Sequence, residues 1–206
     1  MAISETFVIL AGGTAVLAIA FGIRLAIRAV ADGGAAAARS GGGQASAAGE
    51  SGGSDVAGVI ALPPLIFLGF LAAAAVLEAV VPLAVLGAHA IPRYLAGAVL
   101  AAGGFVMILM GSRRFLAAGT NIPPSLPTTA LVTDGIYRRT RNPLYLGTTL
   151  IYLGLGIAAG SIWAIVLVVP LLWIINTGVI TREESYLERK FGDAYRAYKA
   201  RVRRWV

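Results

Sequence analysis

Thr128–Gly147 reads T-T-A-L-V-T-D-G-I-Y-R-R-T-R-N-P-L-Y-L-G. It is a polar, basic, turn-forming stretch set between long apolar segments, Tyr94–Gly111 before it and Leu144–Ala159 entered at its end. A second polar stretch, Thr181-Arg182-Glu183-Glu184, follows one further apolar segment, Ile162–Ile180. The spacing predicts two halves of one site at a membrane surface, brought together by a helical hairpin.

Composition supports the membrane frame. The chain has 206 residues, 58% hydrophobic and 13% charged, whereas soluble domains are nearer half apolar and about a quarter charged. The excess lies in runs too long for core helices. The absence of cysteine excludes disulfides, thiolate metal sites and cysteine nucleophiles. With a single histidine, His89, a histidine-rich metal site is excluded as well, and no metal is assigned. The net charge of +7 is read as cytoplasmic loops and contact with anionic membrane lipid, not as nucleic-acid binding.

Working outward, Phe7–Ile23 is apolar and is followed by Arg24 and Arg28. Its positive flank comes after the run, opposite to a signal peptide, so residues 1–30 are expected to hold a first transmembrane helix. A surface-lying or cleaved segment is the alternative. Residues 31–55 are Ala-, Gly- and Ser-rich and are expected to form a flexible linker; Gly41-Gly42-Gly43 within it has no strand or helix beside it and is no phosphate loop. Val56–Leu86 holds the second span, with Pro63 and Pro64 near its start and Pro82 ending or bending it. Glu78 in this run either walls a polar cavity or reaches the interface. Gly87–Arg93 is expected to be a turn, and Tyr94–Gly111 the third span. In that span Gly97, Ala101, Ala102, Gly103 and Gly104 allow close packing. Leu116–Asn142 is the central loop, extended by Pro123, Pro124 and Pro127. Spans four and five, Leu144–Ala159 and Ile162–Ile180, turn at Gly160-Ser161. Arg182–Val206 is amphipathic, with a first helix stopped by Phe191-Gly192 and a second from Asp193 to about Arg203.

The expected fold is thus all-α: a multi-pass membrane helical bundle of about five transmembrane helices, with a cytoplasmic cofactor site and C-terminal amphipathic helices. Five crossings put Arg24–Arg39, Arg113–Arg141 and Lys199–Arg204 on one side and leave only Arg93 on the other. Positive charge favours the cytoplasm, so both polar stretches and the C-terminal tail are expected there. Alanine and glycine richness fits a prokaryotic inner membrane. The oligomeric state is not read.

Residue chemistry narrows the site. Gly135 permits positive φ or close backbone approach. Tyr137 and Tyr145 offer aromatic faces and hydroxyl donors. Arg141 offers a fixed donor fork for a carboxylate. Pro143 opens the fourth helix, where backbone amides are free. Glu183 and Glu184 supply acceptors for a ribose, an amine or a sulfonium. The set suits a zwitterionic cofactor with aromatic and cationic parts. Basic loops and glutamate pairs also mark ordinary solvated membrane edges.

Arg141-Asn142-Pro143-Leu144-Tyr145 followed by Glu183-Glu184 resembles the R-H-P-x-Y … E-E signature of the isoprenylcysteine carboxyl methyltransferase and phospholipid methyltransferase group. Leu131–Tyr137 before the motif, and Phe191–Tyr195 with Tyr198, Lys199 and Val202 after it, are similar too. The likeness covers about residues 56–206, which it marks as a membrane methyltransferase domain.

The resemblance implies an integral membrane, S-adenosylmethionine-dependent methyltransferase acting on a lipophilic small-molecule or lipidated acceptor. It implies that the cofactor touches Leu131, Val132, Gly135, Tyr137, Arg141, Asn142, Pro143, Tyr145 and Glu183. Gly147 and Glu184 stand as supports, and Arg141, Glu183 and Glu184 are the candidates for catalysis. Asn142 replaces the motif's histidine: it can hydrogen-bond but cannot carry a proton near neutral pH. Val179 stands where prenylcysteine enzymes carry a substrate-holding arginine. Carboxyl O-methylation of an isoprenylcysteine-like substrate is the leading expectation. N-methylation of a phospholipid or small amine and a non-catalytic scaffold of the same fold are the alternatives.

Overall fold

The computed structural model describes residues 55–83 and 90–206. The expected first helix, nearly all of the linker, His89 and the end of the second span lie outside them. Among the described residues the regular structure is entirely helical. Helix α1 is Pro63–Val80, α2 is Ala90–Ala117, α3 is Pro143–Ala159 and α4 is Ile162–Ile174. A π-helical segment, Ile175–Ile180, joins α4 to α5, Thr181–Phe191, and α6 is Asp193–Arg201.

Three of these helices are long and apolar enough to cross a membrane: α1 (18 residues), α2 (28 residues) and the continuous Ile162–Phe191 helix (30 residues). Its apolar part ends at Ile180, and the charged residues of α5 continue beyond the spanning segment. Helix α3 is also apolar but has only 17 residues. Leu65, Val76 and Val80 on α1, Leu95, Val99 and Phe105 on α2, and Val166, Val169 and Trp173 on α4 are exposed. Such apolar outer faces suit lipid rather than water.

Prolines open two helices. Pro63 and Pro143 each sit in a first turn, where the missing N–H has no intrahelical partner to lose. Helix α1 stops at Val80, two residues ahead of Pro82. Between α3 and α4 the chain reverses at Gly160, whose φ of 71° lies in the left-handed region. Ser161 then caps α4 by accepting from the Ala164 amide.

Three boundaries differ from the sequence reading. The region expected to be a turn up to Arg93 is helical from Ala90, and α2 runs on to Ala117, past the expected loop start at Leu116. Periodic apolar residues continue through both ends, and arginine stems lengthen a membrane helix without burying charge. The fifth span is not one uniform α-helix, because it passes through the π-turn.

Helices α2 and α3 lie antiparallel along a seam of small residues. The buried residues of α2 are Gly97, Gly104 and Gly111, seven apart. A Cβ on Gly104 would meet the Gly147 carbonyl, and one on Gly97 would meet the Gly154 carbonyl. A Cβ on Gly147 would lie 2.6 Å from the Gly104 carbonyl. Two turns of helix per seven residues keep one stripe facing its partner. Among the described residues nothing lies within 4 Å of a Cβ on Gly103, and Ala102 is exposed; of the small residues expected to pack, these two have no partner helix among those residues.

A second core lies between α1 and α4, where Phe67 and Ala74 pack with Tyr152, Leu171, Ile175 and Val179. At the end of the bundle remote from Pro143, the Ser161 hydroxyl donates to Glu78 Oε2 at 2.9 Å, and Trp163 Nε1 donates to the Val81 carbonyl at 2.8 Å. Of the two readings of Glu78, this geometry favours the helix-end role over a cavity wall.

Candidate active site

The site forms where α3 begins and the spanning part of the long helix ends. Gly135, with φ 58°, turns the chain into a short 3₁₀ helix, Gly135–Arg138. That turn drives Tyr137 inward, against Phe115 of α2 with ring centroids 5.3 Å apart. The Tyr198 hydroxyl of α6 donates to the Tyr137 carbonyl at 2.8 Å. Val132, Tyr137, Tyr195 and Tyr198 form a small core of their own.

A cavity opens above this layer. Its lining includes Leu131, Val132, Tyr137, Arg141, Asn142, Pro143, Tyr145, Glu183 and Glu184. These nine are all predicted site residues, drawn from the central loop, α3 and α5. Phe115, Tyr186, Tyr195 and Tyr198 add aromatic surface. Gly135 and Gly147 are not in the lining. Gly135 faces the Arg114 side chain, and Gly147 belongs to the α2–α3 seam. Both shape backbone next to the cavity rather than lining it, a difference that sequence position alone does not reveal.

The two glutamates are adjacent in sequence and different in setting. Glu183 Oε1 accepts from the Tyr145 hydroxyl at 2.5 Å. Burial pushes its carboxyl up to about 7, with the neighbouring Glu184 charge acting in the same direction against the Tyr145 hydrogen bond. Glu184 is buried between two guanidinium groups. Arg141 Nη2 reaches its Oε1 at 2.7 Å; Arg204 Nε reaches Oε1 at 3.0 Å and Nη2 reaches Oε2 at 2.6 Å. Burial alone would raise this carboxyl, but the hydrogen bonds from Arg204 and Arg141 outweigh it and hold it below its usual value.

Arg141 is held by more than its ion pair. Its Nη1 donates to the carbonyls of Lys199 at 3.0 Å and Val202 at 2.7 Å. Its backbone amide donates to the Arg203 carbonyl at 3.0 Å. Asn142 is buried, and its Nδ2 donates to the Arg204 carbonyl at 3.0 Å. The motif is therefore tied along its length to the segment after α6. Sequence reasoning did not identify Arg204, Asn176 or Tyr186. Arg204 sits in a run of basic residues that gives no hint of its partner. Tyr186 bridges the Thr128 amide at 3.0 Å and Asp55 Oδ1 at 3.0 Å, and Lys190 grips Asp55 at 2.6 Å.

Among the described residues, two polar atoms of the cavity-lining side chains, Tyr137 Oη and Arg141 Nε, have no hydrogen-bond partner. Burial raises the Tyr137 hydroxyl well above its ordinary value, so it is a neutral donor at physiological pH. Unpaired buried polar atoms are uncommon in folded proteins and call for a partner.

Comparison with known proteins supplies the family. Residues 92–194, half of the chain, match the family model described as phospholipid methyltransferase. The chain belongs to the phospholipid methyltransferase family. Membership makes it a membrane methyltransferase, in keeping with the three long apolar helices among the described residues. An uncharacterized protein of Haemophilus influenzae is 46% identical over 63 residues, which is 31% of this chain and all of that protein. The protein-S-isoprenylcysteine O-methyltransferase of Schizosaccharomyces pombe is 40% identical over 72 residues, 35% of this chain and 30% of that protein's length. No solved structure gives a significant match. The family match takes in the Arg141–Tyr145 motif, Glu183 and Glu184, and stops before Tyr195, so the segment after α6 lies outside it.

Proposed function

We propose that this membrane methyltransferase takes S-adenosylmethionine into the cavity and methylates a lipophilic acceptor that arrives from the bilayer. The observation that carries the reading is the unpartnered Tyr137 hydroxyl, beside Tyr145 and Glu183, in a cavity built on the family motif. Such a lining fits the cofactor: aromatic faces and a carboxylate favour a cation, and the Tyr137 hydroxyl, without a partner among the described residues, is a donor for one of its oxygen acceptors. When bound, the cofactor supplies an electrophilic methyl group on a sulfonium. The residues of the chain then position and desolvate. Tyr145 aims Glu183 into the cavity, while Arg141 and Glu184 neutralise one another at its floor. Leu131, Val132 and Pro143 provide apolar walls that exclude water.

Arg141 is thus a scaffold for the site more than a free clamp for a substrate carboxylate. A carboxylate acceptor, as in the S. pombe relative's isoprenylcysteine chemistry, is already ionised and needs no base. A second reading, amine N-methylation, is favoured by the charge of the cavity. Among its lining residues Glu183 is the carboxylate outside an ion pair, and it is available to take a proton from an ammonium acceptor. The product separates the two: a methyl ester is cleaved by mild alkali, whereas an N-methyl group is not.

Residues 56–206 constitute the methyltransferase domain in this reading, inserted in an inner membrane with the site facing the cytoplasm. Calorimetry of S-adenosylmethionine on the detergent-purified protein tests the cofactor. Binding by the parent is expected, and its absence in a protein with an intact thermal transition would refute the reading. Deleting Met1–Gly53 is expected to leave that affinity unchanged; a folded truncation that no longer binds would refute the domain assignment.

A further inference from the structure

The segment after α6 lies outside the matched family region, yet it makes the bonds that fix the motif. Arg204 contributes two of the three guanidinium hydrogen bonds to Glu184. Its remaining nitrogen, Nη1, donates to Asn176 Oδ1 at 2.9 Å, and Asn176 belongs to the π-segment Ile175–Ile180. That segment decides how α5 is aimed. A π-turn holds about one residue more than an α-turn, so it rotates the helix beyond it by roughly 100°. The azimuth of Glu183 and Glu184 therefore depends on the π-turn staying wound. Arg204 ties the π-turn, through Asn176, to the carboxylate whose position the turn sets.

Arg141 could not hold Glu184 in the same place alone. It makes one bond to that carboxylate, and its Nη1 is committed to two backbone carbonyls. Both Arg141 and Glu184 line the cavity, whereas Arg204 does not. Any effect of Arg204 on a ligand must then pass through them.

We propose that Arg204 is a positioning residue of the methyl-transfer site: by gripping Glu184 with two nitrogens and Asn176 with the third, it fixes Arg141 and the aim of Glu183. The inference rests on the cavity being the S-adenosylmethionine site. Among the described residues, the titratable and charged groups facing Glu183 are Tyr145 of α3, Tyr137 of the 3₁₀ turn and Glu184 of its own helix, with Arg141 and Arg204 acting through Glu184. Asp55, ahead of α1, is turned to Lys190 and Tyr186. Removing Arg204 leaves the Glu184 charge less compensated. Glu183 then ionises less readily, and the pH midpoint of cofactor binding moves up.

The test is S-adenosylmethionine binding by calorimetry across pH, with thermal unfolding, for the parent, Arg204→Ala and Arg204→Lys. Loss of hydrogen bonds to a charged partner weakens binding about tenfold or more. Arg204→Ala is expected to show that weakening and an upward pH midpoint. Because Arg204 is partly open to solvent, added guanidinium ion should recover affinity where equal sodium does not. Arg204→Lys keeps the charge and loses the fork; it is expected to keep the parent midpoint with affinity several-fold weaker. Folded Arg204→Ala with parent affinity and midpoint overturns the inference. Should Arg204→Ala not fold, Arg204→Lys decides: full parent affinity there overturns it, and weakened affinity at an unshifted midpoint supports it. A folded parent that binds no cofactor sinks the proposed function and this inference together, whereas a binding parent with unaffected variants sinks this inference alone.

Discussion

Along the α2–α3 seam the contacts are glycine against backbone, at Gly97, Gly104, Gly147 and Gly154. At the Pro143 end of the same pair, the chain is held by a buried carboxylate between two arginines and by side-chain donors on the carbonyls of Lys199, Val202 and Arg204. The difference follows from the surrounding solvent. Lipid tails offer no hydrophobic drive to bring apolar helices together, so the seam gains by close approach and dispersion. The cap lies at the polar end of the bundle beside the cavity, where directional bonds fix geometry that packing alone would leave loose. One region has no room for an added atom on its facing glycines; the other is built on compensated buried charge.

Breaking the cap should have the largest effect. Glu184→Ala leaves Arg141, with a side chain only 10% exposed, without its carboxylate. Removing one partner of a buried ion pair costs about 3–5 kcal/mol, so the thermal transition in detergent should fall steeply. A loss no greater than that of a surface substitution would show that the cap is not held by this ion pair.

Next comes the seam. Gly104→Ala puts a methyl group against the Gly147 carbonyl and within 3.0 Å of Ile151 Cγ1. Overpacking of this kind costs about 1–3 kcal/mol. Gly103→Ala, one residue away on the open face, should be neutral or slightly stabilising through helix propensity. Equal effects at the two glycines, measured by thermal unfolding, would refute the seam.

A pH titration sharpens the contrast within the cap. Burial pushes the Glu183 carboxyl up to about 7 in the folded protein, against 4.5 ordinarily. Between these values the folded state keeps a proton that the unfolded state has lost, so stability falls as pH rises through the window. Glu183→Gln should flatten that slope, and its advantage over the parent should grow from about pH 4.5 to 7. An identical slope in parent and variant would remove Glu183 as its source.

The smallest stability effect is expected at Tyr137→Phe. Its buried hydroxyl has no partner among the described residues, so losing it should leave stability unchanged or raise it slightly. S-adenosylmethionine affinity should nonetheless fall about five- to tenfold, the worth of one hydrogen bond near 1 kcal/mol. Unchanged affinity would take this hydroxyl out of the cofactor site.

The long helices were legible because a spanning helix must satisfy its backbone within itself, which imposes a long apolar run. The Gly160-Ser161 turn and the break at Phe191-Gly192 were legible from local chemistry. Nine of the eleven predicted site residues line one cavity because the motif, α3 and α5 carry them as contiguous strings. Gly135 and Gly147 were harder: a glycine reports that backbone must come close or turn, without saying to what.

Local hydropathy, turn chemistry and spacing set the membrane frame, the hairpin and the residue types of the candidate site. Tertiary structure decided the π-turn, the separate settings of Glu183 and Glu184, and the partnership of Arg204 with Glu184 and Asn176. The physical reason is range. Arg204 meets Glu184 and Asn176 across 20 and 28 residues, and a run of basic residues looks the same in sequence whichever carboxylate one of them will meet.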